Sequence, residues 1–152
     1  MTAAPTRVMV IGRSRAGKST LLKALGLLRG EVRKTQAASF GENCIDTPGE
    51  FLEQPFFRKV LNSLSCKADL VLMVAAPFQP NAFPPRMAQS LGRPALGVVT
   101  QIDVGSSEEI ERVKRMLFIA GASEVLEVSA LTGEGVDILK ERVNADLKGV
   151  RE

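Results

Sequence analysis

The residues best suited to chemistry form one run near the start of the chain, GRSRAGKS at positions 12–19. This run fits the pattern G-x-x-x-x-G-K-[ST], in which glycines let successive backbone N–H groups point at phosphate oxygens. Lys18 is placed to reach the outer phosphates of a nucleotide, and the Ser19 hydroxyl can bind Mg²⁺. The predicted phosphate-binding loop comprises Gly12, Arg13, Ser14, Arg15, Ala16, Gly17, Lys18, Ser19 and Thr20.

A second candidate group is Asp46-Thr47-Pro48-Gly49. Asp46 could hold the same Mg²⁺ through water, and the backbone N–H of Gly49 could bond a γ-phosphate, so this loop would respond when that phosphate is lost. Taken alone, the pattern D-x-P-G is an ordinary turn. Its position after a phosphate-binding loop and a strand favours the phosphate role.

Two later motifs could recognise a base. Asp103, in Thr100-Gln101-Ile102-Asp103, could accept two hydrogen bonds from the N1–H and N2–H₂ edge of guanine, which adenine does not offer. The run Ser129-Ala130-Leu131 could offer a backbone N–H to the guanine O6 atom.

Composition narrows the chemistry further. The 152 residues include no His, Trp or Tyr, which excludes a Ser-His-Asp triad and any His-containing zinc site. Residues 1–34 carry eight basic side chains against one acid, which suggests an anionic partner: a nucleic acid, a membrane surface or a phosphorylated small molecule. Seven Phe are the only aromatics, which removes most stacking platforms for nucleic acids, and phosphate chemistry fits the residues that remain. The two cysteines, Cys44 and Cys66, are expected to be buried apolar residues in a cytoplasmic protein.

Hydrophobic periodicity predicts alternating strands and helices. Strands are expected at 7–12, 43–46, 69–75, 95–102 and 125–129. Helices are expected at 19–28, 55–65, 106–121 and 136–147, with a further short helix that ends at 91. This alternation predicts an α/β protein with a mostly parallel sheet covered on both faces, a three-layer α/β/α sandwich formed by one domain over 1–152. Ligands of such sheets bind at the carboxyl ends of strands, where every motif above falls. No apolar run reaches the roughly 20 residues of a membrane span, and no signal peptide is visible.

The four motifs, in this order, resemble those of the small GTPase (G-domain) superfamily of P-loop NTPases. The segments GRSRAGKSTLLKAL, KTQA, DTPGEFLE, FPP and VSALTGEGVDIL are similar to the ethanolamine- and propanediol-utilisation GTP-binding proteins, which are encoded with bacterial microcompartment enzymes. The resemblance implies GTP or GDP as ligand, with Thr35 as a switch threonine that completes the Mg²⁺ ligands beside Ser19 and Asp46. It also implies a protein partner that binds the switch regions, and possible association with microcompartments.

Three positions depart from the family pattern. Gln101 replaces a lysine whose charge tethers the phosphate-binding loop, which predicts weaker nucleotide affinity and leaves ATP open as a ligand. Arg15 stands where potassium-activated members have asparagine, and it either supplies a positive charge or points to solvent. Glu50 replaces a water-orienting glutamine and either acts as a general base or faces solvent. With Lys18, these two are the candidate catalytic residues, and slow hydrolysis is expected.

The spacing between Lys18 and Asp46, 28 positions, leaves little room for the first switch and a full hairpin, so a shortened sheet edge is expected. The alternative function is transfer of a phosphoryl group to a small carboxylate, as in acetate kinase. The sequence shows no recognisable acceptor pocket, lid or arginine clamp for it. A nucleic-acid-binding module is a third, weaker reading, and the oligomeric state is not indicated.

Overall fold

A computed structural model describes residues 7–13, 15–26, 33–34, 39–40, 44–47 and 58–151. Strands in these ranges are β1 (Val8–Ile11), β2 (Arg33–Lys34), β3 (Ser39–Phe40), β4 (Cys44–Asp46), β5 (Leu70–Ala75), β6 (Ala95–Val99) and β7 (Val125–Glu127). Helices are α1 (Lys18–Leu25), α2 (Arg58–Ser65), α3 (Met87–Leu91), α4 (Ser107–Ile119) and α5 (Val136–Arg151). None of the helices within these ranges is both long and apolar enough to cross a bilayer.

The strands form one sheet in the order β2-β3-β4-β1-β5-β6-β7. The five strands from β4 to β7 are parallel, whereas β2 and β3 pair antiparallel at one edge. In the register of the central pair, Val8 lies opposite Leu70 and Ile11 opposite Met73. The mostly parallel sheet is confirmed, and β2 and β3 are each two residues long.

Both faces of the sheet are covered, which gives the predicted three layers. Alternate residues of β1 point to opposite sides: Val8 and Val10 belong to one apolar cluster, and Met9 and Ile11 to the other. The first cluster packs against α1 and α5, through residues that include Leu21, Leu22, Leu139 and Val143. The second packs against α2, α3 and α4, through residues that include Leu61, Met87, Leu91, Val113 and Leu117.

Two predicted ends lie three residues beyond those observed, each because of a left-handed residue. Strand β6 ends at Val99 rather than at 102, since Gln101 has a φ of 55° and turns the chain out of the sheet. Helix α1 ends at Leu25 rather than at 28, because Gly26, at φ 72°, forms its C-cap. Helix α5 runs further than predicted, to Arg151, and β7 ends two residues earlier, at Glu127.

Helix α4 begins with a capping box. The Ser106 hydroxyl accepts a bond from the Glu109 backbone N–H, and the Glu109 carboxylate accepts one from the Ser106 N–H. These bonds lower the pKa of Glu109.

The two cysteines differ in burial. Cys44 is buried in β4, and burial, with Asp46 nearby, raises the pKa of its thiol to about 12. The prediction that both are buried is wrong for Cys66, which is exposed just after α2.

Candidate functional site

The predicted phosphate-binding loop joins β1 to the first turn of α1. The Ala16 N–H donates to the Arg13 carbonyl at 3.1 Å, and Arg15 and Gly17 both have left-handed backbone, at φ 71° and 84°. At Gly12 a Cβ atom would lie 2.8 Å from the Val74 carbonyl, so only glycine lets the loop leave the sheet this closely. Gly17 caps α1 without a side-chain hydrogen bond, and the first turn of α1 contains no acid, an arrangement that suits an anion at a helix N-terminus.

Lys18 and Asp46 meet at the carboxyl ends of β1 and β4. The Lys18 Nζ lies 3.3 Å from Asp46 Oδ1, and both side chains are largely buried. Among the described residues the Asp46 Oδ1 atom nevertheless has no hydrogen-bond partner, so this contact is an ion pair without hydrogen-bond alignment. The Thr47 hydroxyl donates to the Val10 carbonyl at 2.9 Å and thereby fixes the chain just after Asp46.

Two side chains of the 100–103 motif form hydrogen bonds with backbone carbonyls of the phosphate-binding loop. The Thr100 hydroxyl donates to the Ala16 carbonyl at 2.5 Å, and the Gln101 amide donates to the Arg15 carbonyl at 3.1 Å. The loss of the lysine charge therefore does not remove the tether: a neutral hydrogen bond from Gln101 replaces it. The left-handed backbone of Gln101 is what directs this side chain back at the loop.

The two predicted base-recognition motifs are bonded to each other. The Ser129 hydroxyl donates to Asp103 Oδ1 at 2.8 Å and accepts a bond from the Thr132 N–H at 3.2 Å. Ser129 is fully buried, whereas Asp103 is exposed. Ser129 thus holds one oxygen of the exposed Asp103 carboxylate. Sequence reasoning assigned Ser129 to base contact and missed this bond, because the residues are 26 positions apart.

The remaining predicted site residues differ in how exposed their side chains are. Arg15, Ser19 and Thr20 are exposed on the loop and the start of α1. Ala130 is half-buried, and Leu131 is 85% exposed on the turn after Ser129. Four predicted site residues lie outside the described ranges: Ser14, Thr35, Gly49 and Glu50.

An open groove adjoins the loop on the side of α4. Its volume is about 480 Å³, and its walls are the Pro80–Pro85 segment, one side of α4 and the Arg13 side chain. Two further arginines, Arg112 and Arg115, line it. The Arg13 Nε atom is buried, and no described residue forms a hydrogen bond with it. No signal in the sequence connects these residues, because they come from three separate segments.

A comparison with protein-family profiles matches residues 5–145 to the ethanolamine utilisation–propanediol utilisation family. The chain belongs to this family. Among its relatives is the propanediol utilization protein PduV of Citrobacter freundii, 38% identical over 145 residues that cover 91% of this chain and 93% of that protein. The probable acetate kinase EutP of Escherichia coli K12 is 27% identical over 121 residues, which cover 78% of this chain and 76% of that protein.

Solved structures share the fold of this family member at lower identity. The FeoB G-domain from Methanococcus jannaschii superposes with a TM-score of 0.63 at 18% identity and covers 96% of this chain and 99% of that one. The elongation factor SelB from Methanococcus maripaludis, in complex with the GTP analogue GPPNHP, gives a TM-score of 0.62 at 23% identity. The chain covers about a third of the length of that factor (35%), so this likeness concerns one part of it. Such likeness establishes the G-domain fold.

Proposed function

We propose that this chain binds a guanine nucleotide, GTP or GDP, with Mg²⁺ and hydrolyses GTP slowly. In this proposal residues 1–152 are one G domain, and residues 12–20, 100–103 and 129–131 form the nucleotide site. The output is an interaction with a partner protein through the segments around Thr35 and Gly49. The metabolic setting is ethanolamine or propanediol utilisation in the cytoplasm, at or near microcompartments, as the family membership suggests.

One observation carries the proposal: the base motif and the phosphate-binding loop are joined by side-chain hydrogen bonds. Thr100 and Gln101 bond the loop carbonyls of Ala16 and Arg15, and Ser129 orients Asp103. A ligand with phosphates at one end and a donor-rich base edge at the other fits this connected cradle. An acceptor carboxylate at position 103 favours guanine, which offers two donors, over adenine.

The residues present also fit Mg²⁺. Asp46 Oδ1 is a buried acceptor with no hydrogen-bond partner in the described part of the chain, and Ser19 is the second residue of α1, next to Lys18. No three His, Cys, Asp or Glu side chains converge within the described ranges, so a metal here would take most of its ligands from phosphate and water oxygens. Ser19, Thr35 and Asp46 would hold it. Bound Mg²⁺ neutralises charge on the β- and γ-phosphates, and Lys18 adds a second positive charge.

The experiment is calorimetric titration with GDP, GTP and ATP in Mg²⁺, on the wild type and on Asp103→Asn. We expect binding selective for guanine nucleotides in the wild type and its loss in the variant. Asparagine offers one donor and one acceptor, which match the N1–H and O2 of xanthine, so XDP binding by Asp103→Asn is the control for a folded site. Equal affinity for ATP and GDP, insensitive to the substitution, would reject guanine recognition.

Slow hydrolysis follows from the residues offered for catalysis. Lys18 would contact the phosphates, Arg15 would supply a positive charge, and Glu50 would stand where a water must be oriented. Without a partner we expect turnover on the order of 10⁻⁴–10⁻² s⁻¹. Phosphate release measured in K⁺ and in Na⁺ tests the role of Arg15, since faster hydrolysis in K⁺ would mean that a cation rather than Arg15 provides the charge. Turnover near 10 s⁻¹ without a partner would contradict the proposal.

A second candidate is phosphoryl transfer to a small carboxylate. It is favoured by the 27% identity to the probable acetate kinase EutP. Incubation with γ-labelled GTP or ATP, with and without acetate, separates the two activities. Labelled acetyl phosphate would support transfer, and labelled inorganic phosphate alone would support hydrolysis.

A further inference from the structure

The groove beside α4 combines an apolar body with unpaired positive charge. Phe83, Met116 and Ile119 line it together with the prolines of its rim, and three arginine side chains reach it from the phosphate-binding loop and from α4. Its lining contains no carboxylate from the part of the chain that the structure describes. Its volume, about 480 Å³, lies in the range of roughly 300–1,000 Å³ typical of small-molecule sites.

The three arginines of the groove form no close ion pair with an acid of the described ranges. Glu108 and Glu111 border a neighbouring hollow together with Arg112 and Arg115, so acids lie on the other side of these two arginines. Glu111 pairs with Lys114 at 3.6 Å, and Glu109, which closes the capping box with Ser106, also feels the charge of Arg112. Among the described residues the buried Arg13 Nε finds no hydrogen-bond partner, a costly state for a guanidinium group.

We propose that this groove binds a small organic anion, a carboxylate carried on an apolar body. Guanidinium groups from two sides would hold the carboxylate, since their planar donors match its two oxygens. The apolar body would lie against Phe83, Met116 and Ile119. The site is distinct from the nucleotide cradle except at Arg13, whose backbone forms part of the phosphate-binding loop, and it does not depend on the proposed nucleotide function.

The probe is 4-phenylbutyrate, compared with 4-phenylbutylamine and with inorganic phosphate, on nucleotide-free protein. The amine keeps the apolar body and reverses the charge, whereas phosphate keeps a negative charge without the body. Protein labelled with ¹³C at the methionine methyl groups reports binding at Met116, and the buried Met9 and Met73 serve as internal references. We expect a saturable shift of the Met116 resonance with phenylbutyrate alone.

The variant Arg112→Gln/Arg115→Gln tests the charge. Both side chains are exposed, so the fold is expected to persist, which thermal unfolding checks. Affinity for phenylbutyrate should fall at least about tenfold, because each removed charge-assisted contact contributes appreciably to binding. The matched control, Arg142→Gln, removes an arginine on α5 that pairs with Glu124, and it should leave affinity unchanged. Equal binding of the amine, or full affinity in the double variant, would overturn the proposal.

Because Arg13 belongs to both sites, occupancy of the groove should change the affinity for nucleotide, and nucleotide should change the affinity for phenylbutyrate by the same factor. Titration of GDP at saturating phenylbutyrate measures this coupling. An unchanged GDP affinity would reject the coupling through Arg13. A protein that binds phenylbutyrate at Met116 but no GDP would reject the proposed nucleotide function and leave the groove proposal standing.

Discussion

Replacement of Ser129 by alanine tests whether the two base-recognition motifs work as one unit. The hydroxyl is fully buried, donates to Asp103 Oδ1 at 2.8 Å and accepts from the Thr132 N–H at 3.2 Å. A bond to a charged partner contributes about 1.5–3 kcal/mol, and the lower figure applies here because Asp103 is exposed to water. With about 0.5 kcal/mol for the Thr132 bond, the unfolding free energy should fall by roughly 2 kcal/mol.

Nucleotide binding should weaken as well, because Asp103 loses the contact that fixes one of its oxygens. An orientation cost of about 1–2 kcal/mol corresponds to GDP affinity about 5- to 30-fold weaker, since 1.4 kcal/mol is a factor of ten. Urea unfolding and GDP calorimetry measure the two effects. The matched control is Ser123→Ala, whose hydroxyl donates to the Ala95 carbonyl at 3.1 Å on the opposite end of the sheet.

The control should lower stability slightly and leave GDP affinity unchanged. If Ser129→Ala loses the expected stability yet binds GDP as the wild type does, Asp103 is positioned by something other than Ser129. If it loses neither, the reasoning from the hydrogen bond itself is refuted.

Three further outcomes are expected. Gln101→Lys should tighten GDP binding about three- to tenfold in calorimetry, because an ammonium group makes a stronger bond to the Arg15 carbonyl than an amide does, and an unchanged affinity would contradict this. Gly135→Ala should lower the unfolding free energy by about 2–4 kcal/mol in urea titrations. The reason is that Gly135 has a φ of 77° and that the new Cβ would clash with the Glu127 carbonyl oxygen. An unchanged urea midpoint would show that the turn adapts. At pH 8 a disulfide reagent should modify the exposed Cys66 thiol quickly. Cys44 should react only on unfolding, because it is buried and its thiol, with the pKa raised to about 12, stays protonated. Equal reaction rates for the two thiols would contradict the burial of Cys44.

The sequence predicts the layers and the location of the site because both depend on local patterns. The continuous apolar run of β1 and the glycines at 12 and 17 are signals within a few positions of one another. They suffice to predict a strand, a phosphate-binding loop and a helix in that order. The position of Asp46 beside Lys18 follows from the parallel pairing of β4, which ends at Asp46, with β1, which leads into the loop before Lys18.

The contacts between distant segments of the site cannot be predicted from such local patterns. Gln101 reaches the loop because its backbone is left-handed, a conformation uncommon outside glycine and not encoded by any neighbouring residue. The hydrogen bond from Ser129 to Asp103 and the presence of Arg13 and Arg112 in one groove depend on how distant segments pack. A pattern read along the chain contains no information on such distances.

Strand β7 is the last strand on its side of the sheet and is only three residues long. Its final carbonyl, that of Glu127, lies directly beneath Gly135, and the Glu127 carboxylate pairs with Lys114 at 3.2 Å. An open sheet edge is a template on which a second chain can add a strand, and short, charged, covered edges prevent this. The short β7 and the turn packed over its end therefore limit aggregation by strand addition on this side of the sheet.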